Sequence, residues 1–204
     1  MERSEPPAPL MLFVCFGNLC RSPMAEGMAR DLIAREYPEL LTLDVASAGV
    51  AAMEGEPATP EAVTEMAERG IDIRRHRART VTARMAASSS LVLTMEPRYR
   101  ERVLDLGVDR PVFLLMKLGE AAGELLKGAG DTTGVADLPG RLEALTGLAE
   151  SIEAEGLWSR PQRDYEVTDP IGGGMQLYRA VAARMERPIT DILSVLAGAA
   201  PHER

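Results

Sequence analysis

Cys15 and Arg21 bracket five residues in the run VCFGNLCRSP, and an apolar stretch leads directly into the cysteine. That spacing can wrap a thiolate and a guanidinium around one phosphate-sized anion. A strand, a tight loop containing Gly17 and a helix beginning near Arg21 would aim successive backbone N–H groups and the helix N-terminus at one point. Such a site binds a tetrahedral dianion and favours the thiolate form of Cys15, which makes it a nucleophile. Arg21 offers a planar fork of donors to two phosphoryl oxygens, a clamp that lysine would not reproduce. The same C-x5-R pattern also describes a buried cysteine behind a strand with an arginine capping a loop, so spacing alone leaves both readings open.

The elements that must position these residues are legible from periodicity. Leu10 to Val14 reads as a buried strand and Pro23 to Glu36 as a helix with Met24, Met28, Leu32 and Ile33 on one face. Leu43 to Ala46 forms a second strand ending at SAG, and Pro60 to Glu68 a helix with Pro60 in its first turn and Gly70 beyond its end. Leu91 to Thr94 is a third strand, Pro97 to Asp105 a helix closed near Gly107, and Pro111 to Leu115 a fourth strand. Strands alternating with helical crossovers predict an α/β fold: a four-stranded, mainly parallel sheet with helices on both faces.

The expected organisation is a flexible leader over 1–9, a single domain over 10–198 and a frayed tail over 199–204. Residues 117–167 read as a helical and loop insertion: KLGEAAGELL helical, GAGDTTGVADLPG an exposed loop, Arg141 to Ala154 helical. Met175 to Met185 and Ile189 to Leu196 form one long or two linked helices, with Pro188 marking a start or a kink.

Composition bounds the function classes. The 204 residues are 46% hydrophobic and carry a formal net charge of −8, which argues against electrostatic capture of nucleic acid. No apolar run is long enough to cross a membrane, and the N-terminus lacks the basic start and apolar region of a signal peptide, so a cytoplasmic location is expected. The two cysteines both lie in the one motif, too few for a disulfide scaffold. The basic RRHRAR stretch reads as solvated arginines around a single histidine. No metal-ligand set is present in the pattern of residues.

The segment Val14-Cys15-Phe16-Gly17-Asn18-Leu19-Cys20-Arg21-Ser22-Pro23-Met24-Ala25-Glu26 closely resembles the signature of the low-molecular-weight protein-tyrosine-phosphatase family. The resemblance covers about 11–115 and 164–196. Ser47-Ala48-Gly49 resembles the motif after the second strand, Gly70-Ile71-Asp72 with His76-Arg77-Ala78-Arg79 the middle motif, and Asp169-Pro170 the late catalytic motif. Leu93-Thr94-Met95-Glu96 stands where the third strand usually ends in an acidic residue. The resemblance implies that Cys15 attacks phosphorus, that Phe16, Gly17, Asn18, Leu19, Cys20, Arg21 and Ser22 make the phosphate loop, and that Asn18, Ser22, Ser47 and His76 brace it.

Chemistry gives Asp169 a task beyond resemblance. Departure of an alkoxide or phenolate from phosphorus is costly, and a carboxylic acid beside the bridging oxygen can donate a proton as the bond breaks, then activate water as its conjugate base. Pro170 and the run Gly172-Gly173-Gly174 suggest a shaped loop that brings it over the anion site. By resemblance, Cys20 is a redox partner able to trap oxidised Cys15 as a disulfide; a small buried side chain is the other reading.

Substrate choice is pulled two ways. Many tyrosine-specific members place an aromatic residue after the Asp-Pro pair where this chain has Ile171, and DPIGGG resembles a bacterial branch that includes protein-arginine phosphatases. Those enzymes carry a small threonine where this chain has Leu19, which favours an aryl group. Phe16, Leu19 and Ile171 are thus the expected pocket wall, phosphotyrosine the expected substrate and phosphoarginine the alternative. The related arsenate reductases relay a disulfide through further cysteines, and none follows Cys20. A non-catalytic phosphate-responsive binding module is the other class. The expectation is thus a cofactor-free hydrolase acting on a phosphorylated protein or peptide and releasing inorganic phosphate, with no nucleic-acid partner and no membrane insertion; the sequence leaves oligomeric state open.

Overall fold

In the computed structural model, residues 9–41, 43–129 and 137–199 are described. Most of the expected leader and tail, and most of the GAGDTTGVADLPG loop, lie outside these residues. Four strands, β1 (Pro9–Cys15), β2 (Asp44–Gly49), β3 (Leu91–Thr94) and β4 (Val112–Leu114), form an all-parallel sheet in the order β2-β1-β3-β4. The chain leaves β1 toward β2 on one side and returns to β3 on the other, so the C-terminal end of β1 is the switch point where open α/β sheets bind ligands. Cys15 is the last residue of that strand.

β1 and β4 read as apolar runs and β3 nearly so because both faces of the sheet are covered, and β2 is buried from Val45 to Gly49. Along β1, Met11, Phe13 and Cys15 enter the larger core, while Leu12 and Val14 enter a smaller one on the opposite face. The larger core is closed by α1 (Arg21–Glu36), α2 (Pro60–Glu68), α5 (Leu115–Glu124), α6 (Leu138–Glu155) and α7 (Met175–Ala197). The smaller is closed by Ala86 of α3 (Ala83–Ser88) and Val103 of α4 (Pro97–Leu104). Helices on both faces of a four-stranded parallel sheet match the expected fold class.

Several boundaries move for physical reasons. Helix α1 begins at Arg21, two residues before Pro23, because a first-turn proline lacks only an N–H that has no intrahelical partner. β2 extends through Ser47, Ala48 and Gly49, paired with Phe13, Val14 and Cys15 of β1. α7 is one continuous 23-residue helix with Pro188 inside it. A Cβ on Gly119 of α5 would stand 2.2 Å from Pro188 Cβ, so the missing side chain lets the two helices meet at the proline. Lys117, Leu118, Ala121 and Ala122 are buried on α5, so the stretch expected as an insertion starts inside a core helix. Its return segment is pinned to α5, with Lys117 Nζ 4.9 Å from the Trp158 ring centroid and Tyr165 Oη donating to Glu120 at 3.0 Å. No helix among the described residues is long and apolar enough to cross a membrane.

Candidate active site

The turn after β1 is built on Asn18, the one non-glycine residue with positive φ (55°) among the described residues. Asparagine tolerates this left-handed conformation because its short amide can bond locally. Here every amide hydrogen-bonding atom is used: Oδ1 accepts Arg79 N–H at 2.9 Å, and Nδ2 donates to Ser22 Oγ and Ser47 Oγ, each at 2.9 Å. Ser47 Oγ in turn donates to Glu26 Oε2 at 2.6 Å. Ser22 Oγ, having accepted from Asn18, directs its hydroxyl toward Cys15 Sγ at 3.0 Å or Ala48 O at 3.2 Å. A thiolate at Cys15 would draw that proton.

The loop's backbone is held from the same side. His76 Nε2 donates to Asn18 O at 2.8 Å, while Val50 N–H and Ala51 N–H bond the carbonyls of Cys15 and Phe16 at 3.0 Å. Burial lowers the pKa of His76 from its ordinary value, keeping a neutral imidazole against the carbonyl. Gly49 makes this approach possible: a Cβ there would lie 2.4 Å from Phe16 O and 2.9 Å from Asn18 N. The first turn of α1 carries neither a side-chain cap nor an acidic residue, which leaves its N–H groups for an anion.

Arg21 is 1% exposed and enters a ring of acceptors. Nη1 donates to Glu96 Oε1 at 2.5 Å and Val167 O at 2.9 Å; Nη2 donates to Tyr99 Oη at 3.3 Å and Asp169 Oδ2 at 2.6 Å. Among the described residues Nε–H has no protein acceptor, so on the Nε/Nη2 edge Asp169 is the side chain that Arg21 meets. Burial works against the cation, but Cys15, Glu96 and Asp169 outweigh it and raise its pKa further. Burial likewise pushes the Glu96 carboxyl upward, and bonds from Arg21, Tyr99 and Arg98 more than reverse this, holding it below the usual carboxylate range.

Asp169 reaches the loop from the segment before α7. Its Oδ1 accepts Ile171 N–H at 3.2 Å, and Val167 N–H bonds Met95 O at 2.9 Å, docking the segment on the end of β3. The three residues expected to do chemistry are therefore gathered at the β1 switch point, and Asn18, Ser22, Ser47 and His76 all contact the loop as braces. The expected wall residues divide: Phe16 and Ile171 are 51% and 57% exposed, whereas Leu19 is half-buried against the larger core. Cys20 is a free, buried thiol contacting Tyr178 Oη at 3.4 Å and Thr59 Oγ1 at 3.5 Å, and burial pushes its pKa up.

Sequence reasoning passed over Glu26, Arg79 and Tyr99 as site residues and noted Glu96 only by position. Among the described residues no group of three or more potential ligands could hold a metal ion.

The profile of the low molecular weight phosphotyrosine protein phosphatase family matches residues 10–125, more than half of the chain. A probable low molecular weight protein-tyrosine-phosphatase, EpsP, of Ralstonia nicotianae is 40% identical over 93 residues, 46% of this chain and 59% of that protein. The protein-arginine-phosphatase of Bacillus subtilis is 38% identical over 91 residues, 45% and 58% of the two chains. The alignment thus spans little more than half the length of each relative. In structure, the tyrosine phosphatase AmsI of Erwinia amylovora superposes with a TM-score of 0.60 over 90% of both chains at 23% identity, a likeness of fold. With the signature loop formed and the family profile matched across β1 to α5, this chain belongs to the low-molecular-weight protein-tyrosine-phosphatase family.

Proposed function

We propose that this chain hydrolyses phosphorylated protein side chains, phosphotyrosine first, through a phosphocysteine intermediate. The observation that carries the reading is the convergence of Cys15 Sγ, the Nε/Nη2 edge of Arg21 and the Asp169 carboxyl on one turn whose every brace is hydrogen-bonded. Substrate phosphate settles on the loop N–H groups and takes the Arg21 edge. Cys15 thiolate then attacks phosphorus, forming the S–P bond as the P–O bond to the side chain breaks. Asp169, protonated in this step, gives its proton to the departing oxygen. In the second half-reaction the Asp169 carboxylate takes a proton from water, whose oxygen displaces sulfur and releases inorganic phosphate. Arg21 and the backbone donors hold the equatorial oxygens throughout.

Phosphoarginine is the second reading, favoured by Ile171 in place of an aromatic residue and by the arginine-phosphatase relative. Phe16 supports the aryl reading, since its exposed ring stands at the mouth of the loop, 6.2 Å from that of Tyr99. Matched peptides carrying phosphotyrosine, phosphoarginine or phosphoserine decide the matter, with Cys15→Ser as control. Preferred turnover of phosphotyrosine is expected; preference for phosphoarginine would assign the other branch, and oxyanion binding with no turnover would leave a binding module.

Cys20 fits a protective role in the same reading. Peroxide oxidises Cys15 to a sulfenic acid, and the Cys20 thiol then displaces water to close a disulfide. Peptide mass spectrometry after peroxide treatment should find the two cysteines linked; only sulfinic and sulfonic forms of Cys15 would remove Cys20 from this role.

A further inference from the structure

We infer that Tyr99 is a positioning residue for Arg21, fixing the guanidinium plane so that its Nε/Nη2 edge matches the transition state better than the bound substrate. The role rests on the phosphatase reading above.

Tyr99 lies in the first turn of α4 and is 2% exposed. Packing alone would be met by phenylalanine, so the hydroxyl is the informative group. Burying a hydroxyl is costly unless its hydrogen-bonding capacity is satisfied. This one is surrounded by charges: it accepts from Arg21 Nη2 at 3.3 Å and Arg98 Nη2 at 3.1 Å, and donates to Glu96 Oε1 at 2.8 Å. The ring adds a second restraint, with the Arg21 and Arg98 guanidinium carbons 5.5 and 5.1 Å from its centroid.

The bonds close a cycle. Arg21 Nη1 donates to Glu96 Oε1, the same oxygen accepts from Tyr99 Oη, and Tyr99 Oη accepts from Arg21 Nη2. Glu96 and Val167 O both hold Nη1, and the Asp169 contact on Nη2 must yield to substrate; the Tyr99 hydroxyl is the tie on Nη2 that stays in place when it does. What remains is Nε–H and the Nη2–H that Asp169 holds, both on one edge. During transfer the three non-bridging oxygens flatten toward a plane, and a bidentate clamp follows them only if its own plane is fixed. Tetrahedral phosphate in the ground state makes a looser demand. Removing the hydroxyl should therefore cost transition-state binding more than ground-state binding.

The test is Tyr99→Phe, which keeps the ring and deletes one oxygen. Three quantities are read beside the wild type: kcat and KM on an aryl phosphate, inhibition by inorganic phosphate, and inhibition by vanadate, whose bipyramidal adduct mimics the transition state. The substitution removes the hydroxyl's three bonds to Arg21, Arg98 and Glu96; the one on the clamp itself predicts a fall of about tenfold in kcat and in vanadate affinity, with KM and phosphate affinity within about twofold of wild type. Unchanged kcat and vanadate affinity would overturn the inference. Equal weakening of both oxyanions, accompanied by a lower melting temperature, would overturn it in favour of plain packing. Wild-type protein that turns over no phosphopeptide would remove the phosphatase reading itself, whereas an active wild type matched by Tyr99→Phe removes only the role of Tyr99.

Discussion

Asp169 Oδ2 sits 2.6 Å from Arg21 Nη2, on the edge of the guanidinium proposed above to take the phosphoryl group. The proposed acid and the proposed clamp thus hold one another, and phosphate binding has to part them. In the proposed reaction substrate takes the arginine, and the released carboxyl faces the oxygen that departs.

The pairing makes Asp169 a competitor as well as a catalyst. Its carboxylate is more than a third exposed, so the contact is worth no more than about 1 kcal/mol. Asp169→Ala should therefore tighten inorganic phosphate binding by roughly two- to fivefold. The same variant should slow turnover of substrates with poor leaving groups far more than activated aryl phosphates. Titration calorimetry and a leaving-group series check both halves. Weaker phosphate binding would remove the competition, and equal rate losses would remove the general acid.

Glu96 carries a different burden, since its side chain is almost as buried as Arg21 and accepts from three donors. Truncation strands a cation in the interior, and Glu96→Ala is expected to cost about 3 kcal/mol of stability in urea unfolding. Glu96→Gln keeps an acceptor for Arg21 Nη1 and should recover part of that loss. If both substitutions left the unfolding midpoint unchanged, the Arg21 network would not be holding the fold.

Gly49 tests the close approach of strand and loop. Gly49→Ala places a methyl group 2.4 Å from Phe16 O, a backbone atom with no flexible side chain to yield. The expected cost is about 1–3 kcal/mol from overpacking, with phosphate binding lost because the displaced backbone is the proposed anion cradle. A variant with wild-type melting and wild-type phosphate affinity would show that the loop tolerates the shift.

What the sequence discloses and what it conceals follow from the range of the interactions. The signature loop is local in sequence, seven residues between a strand and a helix that adjoin it, so Cys15, Asn18 and Arg21 could be read directly, although Asn18 is braced by Ser47, His76 and Arg79 from afar. β1, β3 and β4 were legible because their residues are almost all apolar, and α2 and α4 because Pro60 and Pro97 mark their first turns. α3 escaped notice because its six residues bury only Ala86 and show no periodic face. The end of β2 was cut short since Ser47, Ala48 and Gly49 are small for the loop's sake, against strand propensity. The Arg21 network is harder still: it joins residues 75, 78 and 148 positions away, and Val167 contributes only a backbone carbonyl, which no side-chain pattern can announce.

His76 gives the site a pH dependence with a defined sign. Burial lowers its pKa from the ordinary value, so the folded protein binds this proton less readily than the unfolded chain. Its contribution to stability is complete above the unfolded value of about 6.5 and is lost as pH falls through the lower folded value. Protonation also places a desolvated charge beneath the loop. His76→Gln can still donate to Asn18 O but does not titrate. Wild type should therefore lose more stability than His76→Gln between pH 7.5 and 5.5, read by urea unfolding at each pH. Parallel losses in the two proteins would assign the acid sensitivity to carboxylates elsewhere and leave His76 a brace without a switch.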